Sequence, residues 1–334
     1  MRILILYNLA KIVKKGITND LVCEKEIEII VPLIVDSLLA RGHQVKTLET
    51  DRNVWEKLKK LKPEIDIVLN LAEGFGGCNI NETFVPALLE ALEIPFTGAS
   101  SRNMMFTMDK EKTNLVLGAY NIPTPCRKLF RQGQSKFIEL GLNFPVIVKP
   151  VREEASIGIT YDSVVSNHKD LVDKVDRVFK LYQQSALVEE FIEGREISVG
   201  IIGNGTNVHV FPPLEFIFED SIPVLKRIRS YEYKWDGGKE AMTKAKLPDD
   251  LITKLQEYTK VAYLVTDCRD YARMDYRLTD KNEIFLLEVN YNPGIGPNTH
   301  GLNNTLTMMA SFEGHSFEDL IEWIIFTAKE RYVS

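Results

Sequence analysis

Two periods of apolar residues alternate along the chain. "RILILY" and "IDIVLNLA" are β-branched runs of strand length, and between them "EKEIEIIVPLIVDSLLARGHQV" repeats its apolar positions at helical spacing and stops at Gly42. Strand, helix and strand in that order predict a parallel sheet for about the first hundred residues. "ETFVPALLEALEI" predicts a second helix, ending at "PFTGAS".

Beyond it the pattern changes. "TMDKEKTNLVLGAYNI" predicts one helix that stops before Pro123, and "FPVIVKP" a short buried strand closed by Pro150. "REEASIGIT" reads as an exposed loop, "DLVDKVDRVFKLY" as an amphipathic helix and "ALVEEFI" as a strand. "GREISVGIIG" and "NVHVFPPLEFIFE" predict a meander of antiparallel strands with glycine turns. A long helix "DDLITKLQEYTKVAYLV" follows, then the strands "YARMDYRLT" and "EIFLLEVN" joined by the turn "DKNE", and a closing helix "SFEDLIEWIIFTAKERY". There is no internal repeat and no low-complexity tract. The expected class is α/β at the N-terminus and α+β beyond it, divided as 1–98, 99–183 and 184–334.

Composition narrows the function. A chain of 334 residues, 45% apolar, exceeds what one compact domain usually holds. Its net charge of −6 offers no basic field for nucleic acid or an anionic membrane surface, so small-molecule partners are expected, and an anionic one needs locally placed Lys and Arg. The apolar start "MRILILYNLAK" turns polar too soon to span a membrane. Cys23, Cys78, Cys126 and Cys268 form no C-x-x-C pair, which indicates neither a zinc site nor a disulfide framework and fits a reducing, cytoplasmic setting.

Candidate chemistry gathers at strand ends. In "RMDY" and "LLEVN", Asp275, Glu288 and Asn290 fall on two adjacent strands, and period-two alternation puts Glu288 and Asn290 on one face. Two carboxylates and an amide oxygen suit Mg²⁺, a hard cation that takes oxygen ligands; a solvated strand face is the alternative. Lys110 in "MDKEKT", Lys149 ending "PVIVKP" and Arg273 in "YARMDY" stand beside apolar runs, where a lone Lys usually snorkels. Lys149, however, is fixed between Val148 and Pro150. The loop after it has a small-residue stretch, Ala155 to Gly158 with Ser156 inside, whose N–H groups could close over phosphates. Neither this loop nor "EGFGGC" has the spacing of a Walker or dinucleotide fingerprint. In "VEEFIEGRE", the acids including Glu196 suit ribose hydroxyls or an adenine amino group, and a solvated edge fits the composition equally.

Taken in order, "MDK", "PVIVKP", "REEASIGI", "VEEFIEGREISVGI", "YEYK", "CRDYARMDY" and "EVNYNPG" resemble the ATP-grasp superfamily, and within it the D-alanine–D-alanine ligase group, from about residue 70 to the C-terminus. The resemblance implies a three-domain ATP-grasp fold and an ADP-forming carboxylate–amine ligase. Lys110 and Lys149 then contact ATP phosphates under the loop that contains Ser156. Glu189, with Glu190, Phe191 and Ile192, forms the adenine edge and hinge, and Glu196 holds the ribose. Lys234 in "YEYKW" reaches the γ-phosphate. Asp275, Glu288 and Asn290 hold Mg²⁺, two ions or Mn²⁺ in their place, and Arg273 with the Gly294 backbone stabilises the tetrahedral intermediate. A homodimer is implied as well. The chemistry is attack of a carboxylate on the γ-phosphate, then displacement of phosphate from the acyl phosphate by an amine, with "REEASIGIT" and "RSYEYKWDGGKE" closing as lids.

Departures from that pattern concentrate in the amino-acid pocket. Glu24 in "CEKEIEI" takes the place of the acid that holds the first amino acid, with Glu28 where a Ser is usual. Glu73 replaces a His, Ala155 a Ser and Trp235 a Tyr, and Thr299 or His300 has to replace a Ser after "NPG". These changes imply ligation with altered acyl or amine specificity. The alternatives are a ligase of specialised metabolism joining another amino acid or small carboxylate to an amine, and a non-catalytic ATP-binding regulator.

Overall fold

The computed structural model of the chain describes residues 1–12, 14–17, 22–76, 81–133, 140–235, 240–299 and 302–332, the side chains of 22–25 excepted. It is built on three sheets. The first comes from β1 (Arg2–Tyr7), α1 (Val22–Ala40), β2 (Gln44–Glu49), α2 (Val54–Leu61) and β3 (Ile67–Leu71), with parallel strands in the order β2-β1-β3. One strand more is present than the apolar pattern predicts. "HQV" does not continue the helix, because Gly42, at φ +79°, ends α1 and β2 starts two residues later. β2 is a half-exposed edge, so its sequence "QVKTLE" lacks the continuous apolar run of a buried parallel strand.

After α3 (Phe84–Ala91), "TMDKEKTNLVLGAYNI" forms the one expected helix, α5 (Lys110–Ala119), starting three residues later than the pattern suggests, and a helix the pattern did not predict, α4 (Ser101–Thr107), precedes it. Asp109 breaks them apart: its backbone is extended and its carboxylate accepts from the Lys112 N–H, capping α5 and fixing Lys110 in the first turn. The second sheet uses β4 (Arg127–Phe130), β5 (Val146–Pro150), β6 (Val164–Val165) and β7 (Ala186–Glu190) in the antiparallel order β4-β7-β5-β6, with α6 (His168–Tyr182) packed against it.

The third sheet contains β8 (Arg195–Asn204), β9 (Asn207–Val210), β10 (Leu214–Ile217), β11 (Ala241–Lys244), β12 (Asp270–Leu278) and β13 (Ile284–Asn290), ordered β11-β10-β8-β12-β13 with β9 also on β8. β9 and β10 do not continue a meander. β12 takes one edge of β8, and the other edge is shared end to end by β9, against Ile201–Asn204, and β10, against Glu196–Ser198. Pro212 and Pro213 lie between them and lack the N–H groups a continuous strand would need. The helices α7 (Tyr231–Trp235), α8 (Asp249–Val265), α9 (Thr305–Ser311) and α10 (Phe317–Glu330) complete the chain.

Two apolar cores tie distant segments together. Leu306, Leu320, Ile321, Ile324 and Ile325 of α9 and α10 pack with Ile3, Ile5, Ile34 and Leu69, so the two ends of the chain share one core. Met104 and Leu117 pack with Tyr263, Tyr276 and Leu286, which anchors α4 and α5 on the third sheet. Burial of this kind contributes roughly 1.5–3 kcal/mol per large side chain, which makes these connections stiff supports for the cleft between the second and third sheets. Among the described residues no helix is long and apolar enough to cross a membrane.

Candidate active site

One wall of the cleft is a face of the third sheet. Arg273, Asp275 and Arg277 alternate along β12 and so point the same way. Their partners on β8 are Gly200, Ser198 and Glu196, and on β13 Asn290 lies opposite Arg273 and Glu288 opposite Asp275. The register then shifts: Leu286 pairs with Tyr276, and the extra residue, Leu287, lines the cleft. Lys149 on β5 and Glu189 on β7 face it from the second sheet, with Lys110 at the start of α5.

Charges at this end are paired. Lys149 Nζ lies 2.7 Å from Glu189 Oε2, and Asn114 donates to the other carboxylate oxygen at 3.3 Å. Lys110 Nζ lies 2.7 Å from Glu288 and 3.4 Å from Glu154. The Arg273 fork grips both oxygens of Asp275 at 2.8 Å each and donates to Thr305 Oγ1 at 3.1 Å, while the Ser198 hydroxyl donates to Asp275. Arg277 sits 2.8 Å from Glu196, and Arg229 2.7 Å from Glu240. Burial opposes the charges of Asp275 and Glu288, but Arg273 for the first and Lys110 with Lys149 for the second outweigh it and hold both carboxyls below their usual range. Burial likewise opposes the Lys110 charge, and Glu154 and Glu288 push that ammonium up.

These donors fit a hard cation. Glu288 Oε1 is buried and takes no hydrogen bond from the described residues, although Lys110 Nζ is 2.7 Å away as an ion contact. Glu288 and Asp275 lie opposite each other on β13 and β12 with Asn290 on the same face, an all-oxygen donor set of the kind a hard cation takes, and the Lys110 ammonium balances the Glu288 charge.

The hinge and the described parts of the two expected lid loops are held by hydrogen bonds; residues 236–239 of "RSYEYKWDGGKE" lie outside the described residues. The N–H groups of Glu190 and Phe191 donate to the carbonyls of Cys126 and Pro145, and the Glu190 carboxylate accepts from Asn143. Ile192 lines the cleft, and among the described residues its N–H has no partner. In "REEASIGIT", Ala155 and Ser156 adopt left-handed φ of +53° and +63°. Gly158, at +80°, lies where a Cβ would meet Pro150 Cγ at 2.5 Å, so only glycine lets the loop fold onto the end of β5. The two loops expected as lids clasp each other. Ser156 Oγ donates to the Arg229 carbonyl at 2.6 Å, Tyr231 N to the Ile159 carbonyl at 2.8 Å and Trp235 Nε1 to the Ala155 carbonyl at 3.3 Å. Lys234 extends over the Trp235 ring at 4.6 Å, and burial, with Arg229 nearby, lowers its pKa.

Past Arg273 the cleft continues into a second space. The two volumes, about 930 and 880 Å³, share Ala155, Lys234, Arg273 and Asn290. The second is lined by Glu73, Trp235 and Gly294, as expected, and also by Glu26, Glu82 and Asn304, which sequence reading missed. Among the described residues Glu26, Glu73 and Glu82 make no ion pair; Glu82 accepts from Tyr291 Oη at 3.0 Å. Burial raises the carboxyls of Glu26 and Glu82, the latter to about 8, and Glu73, more open to the cleft, shifts the same way.

One expectation is not met at this end, and two fall outside what the structure describes. Thr299 is exposed and is not among the residues lining the cleft; Asn304, after it, is. The side chain of Glu24 and all of His300 lie outside the described residues. Glu26, two residues beyond Glu24 in the same glutamate-rich turn, was the only hint, and helical pattern alone does not choose among Glu24, Glu26 and Glu28.

Known proteins resemble this chain in sequence and in fold. Residues 124–326 match the family profile described as D-ala D-ala ligase C-terminus. The chain is 34% identical to the uncharacterised protein y4sG of Sinorhizobium fredii, over 90% of this chain and 88% of that one. It is 32% identical to the D-alanine–D-alanine ligase of Carboxydothermus hydrogenoformans, over 89% and 91%. Its fold superposes on the crystal structure of D-alanine–D-alanine ligase from Bacillus anthracis complexed with ATP with a TM-score of 0.76, at 20% identity and 99% coverage of both chains.

Proposed function

The chain belongs to the D-alanine–D-alanine ligase family, and from that premise we propose how its two-part cleft divides the work of an ATP-dependent carboxylate–amine ligase. The observation that carries the reading is the convergence of Lys110, Lys149, Asp275, Glu288 and Asn290 on the first space and its opening, past Arg273 and Lys234, into the second. ATP occupies the first space, with its base at Ile192 and its phosphates beside Lys110 and Lys149.

Asp275, Glu288 and Asn290 would hold Mg²⁺. The ion supplies charge neutralisation and orientation of the transferring phosphoryl group. Lys110 and Lys149 exchange carboxylate partners for phosphate oxygens. Lys234, at the junction, meets the γ-phosphate. Arg273 and the Gly294 N–H stabilise the oxyanion that forms when the amine attacks the acyl phosphate, and the clasp of the two loops keeps water from that intermediate. The division 1–98, 99–183 and 184–334 is part of this proposal, with the cleft between the last two segments and the substrate end closed by the first.

The substrate end supports an amino acid or small peptide that brings its own positive charge. Glu26, Glu73 and Glu82 make no ion pair among the described residues, with Lys234 the foremost cation acting on Glu26 and Glu73 from the same lining, and a substrate ammonium adds positive charge where the acids outnumber the bases. Phosphate release from ATP and Mg²⁺ is to be measured with D- and L-amino acids, singly and in pairs, and with diamino acids. Release that depends on an amino acid and is faster with a diamino acid than with D-alanine is expected. Equal or better release with D-alanine alone would remove the charge reading, and no release with any of them would remove the ligase assignment.

A further inference from the structure

We propose that Arg277 is a positioning residue for the nucleotide, holding Glu196 ionised and aimed so that it accepts from the ribose hydroxyls, and linking that acid to the hinge and to the lid. The inference rests on the reading above that the first space receives ATP. Arg277 is 3% exposed and lines that space, two residues along β12 from Asp275 and on the same face. It lies directly across from Glu196 in the β8–β12 register, and its guanidinium is 2.8 Å from Glu196 Oε2. Its Nη1 donates to the Gly194 carbonyl, at the end of the hinge, at 2.8 Å, and the same Nη2 that faces Glu196 donates to the Arg227 carbonyl, in the segment leading to α7, at 2.6 Å. One planar fork therefore joins three segments that have to agree when a nucleotide is enclosed. The rings of Phe191 and Phe218 lie 5.8 and 6.0 Å from it, which further limits its freedom to turn away.

A buried carboxylate such as Glu196 tends to protonate, and burial does raise it, with Arg277 the foremost opposing charge. A protonated Glu196 would lose acceptor capacity for a vicinal diol. A neutral side chain at 277 would thus cost ribose recognition as well as the pair itself. A merely structural buried ion pair predicts otherwise: lost stability with unchanged preference among nucleotides.

Direct binding separates these without knowledge of the amino-acid substrate. Calorimetric titrations of the full chain with ADP, 2′-deoxyADP and 3′-deoxyADP, with Mg²⁺ present, are compared for the wild type, Arg277→Met, Arg277→Lys and Glu196→Gln. The wild type is expected to prefer ADP over at least one deoxy analogue by roughly tenfold, the scale of one charge-assisted hydrogen bond. Arg277→Met and Glu196→Gln should bring that ratio to within about twofold of unity. Arg277→Lys, which keeps the charge but cannot reach three acceptors in one plane, should fall between, and it decides the matter if the Met variant does not fold. Wild-type preference retained in the Arg277 variants overturns the proposal and leaves the nucleotide reading standing. A wild type that binds ADP without discrimination overturns the role of Glu196 and the proposal with it. Failure to bind ADP at all overturns the reading on which both rest.

Discussion

The two ends of the cleft treat charge in opposite ways. At the nucleotide end each buried acid meets a base: Glu189 meets Lys149, Glu288 meets Lys110, Asp275 meets Arg273 and Glu196 meets Arg277, each within 2.8 Å. At the substrate end Glu26, Glu73 and Glu82 have no such partner among the described residues. A compensated set is preorganised, because phosphates and a cation can exchange with partners already in place. An uncompensated set is unfinished until a ligand completes it, and so it is where substrates are told apart.

The sharpest break of the first half of this comparison is Glu288→Gln. It should lower kcat by at least about a hundredfold through weakened cation binding, with the thermal midpoint little changed. Steady-state phosphate release with varied Mg²⁺ checks this, and unimpaired turnover would remove Glu288 from the cation site. Next is Lys149→Met, which should raise the KM for ATP roughly tenfold and also destabilise the fold by about 3–5 kcal/mol, since Glu189 is left buried and alone. The double variant Lys149→Met with Glu189→Gln should regain most of the stability and none of the ATP affinity. Denaturant titration beside kinetics tells the two effects apart.

Smaller effects test the second half. Ala155→Ser with Trp235→Tyr should increase ligation of D-alanine by a few fold relative to the best diamino acid, because both residues line the second space and meet across the lid clasp. An unchanged preference in paired-substrate assays would place specificity elsewhere. Smallest is a stability effect of Glu82. Its carboxyl, near 8 in the folded chain, stays protonated there while the unfolded chain ionises it near pH 4.5. Unfolding therefore releases a proton between those values, and Glu82 makes the fold progressively less stable as pH rises from about 5 to 8. Glu82→Gln should abolish that slope and raise the melting temperature by about 2–4 °C at pH 8 relative to wild type, with little difference at pH 4. Melting curves across that range check the sign.

Some of this was readable in the apolar pattern. The strands β12 and β13 were, because two runs of strand length flank the short turn "DKNE", and their alternation brought Asp275, Glu288 and Asn290 to one place. The helix α8 was marked to the residue. The short helix α4 was not, and the start of α5 was misplaced by three residues because the capping Asp109 begins the helix inside the apolar pattern. The edge strand β2 and the shared edge of β8 were missed for a related reason: edges carry polar residues, and pairing partners are not written locally.

By itself the sequence determined which strand ends and helix starts carry the charged residues of the first space, because local rules there are strong, while the roles proposed for them rest on the resemblance to the family. Only the tertiary structure decided the substrate end. Glu26 comes from α1, Glu73 from the segment after β3, Glu82 from the turn before α3 and Asn304 from the start of α9, and it is packing between the chain's two ends that places them around one space. Lys110 against Glu288 and Arg277 against Glu196 were hidden in the same way. An ion pair between residues 178 or 81 positions apart is set by how sheets and helices pack, a long-range outcome that no window of sequence contains.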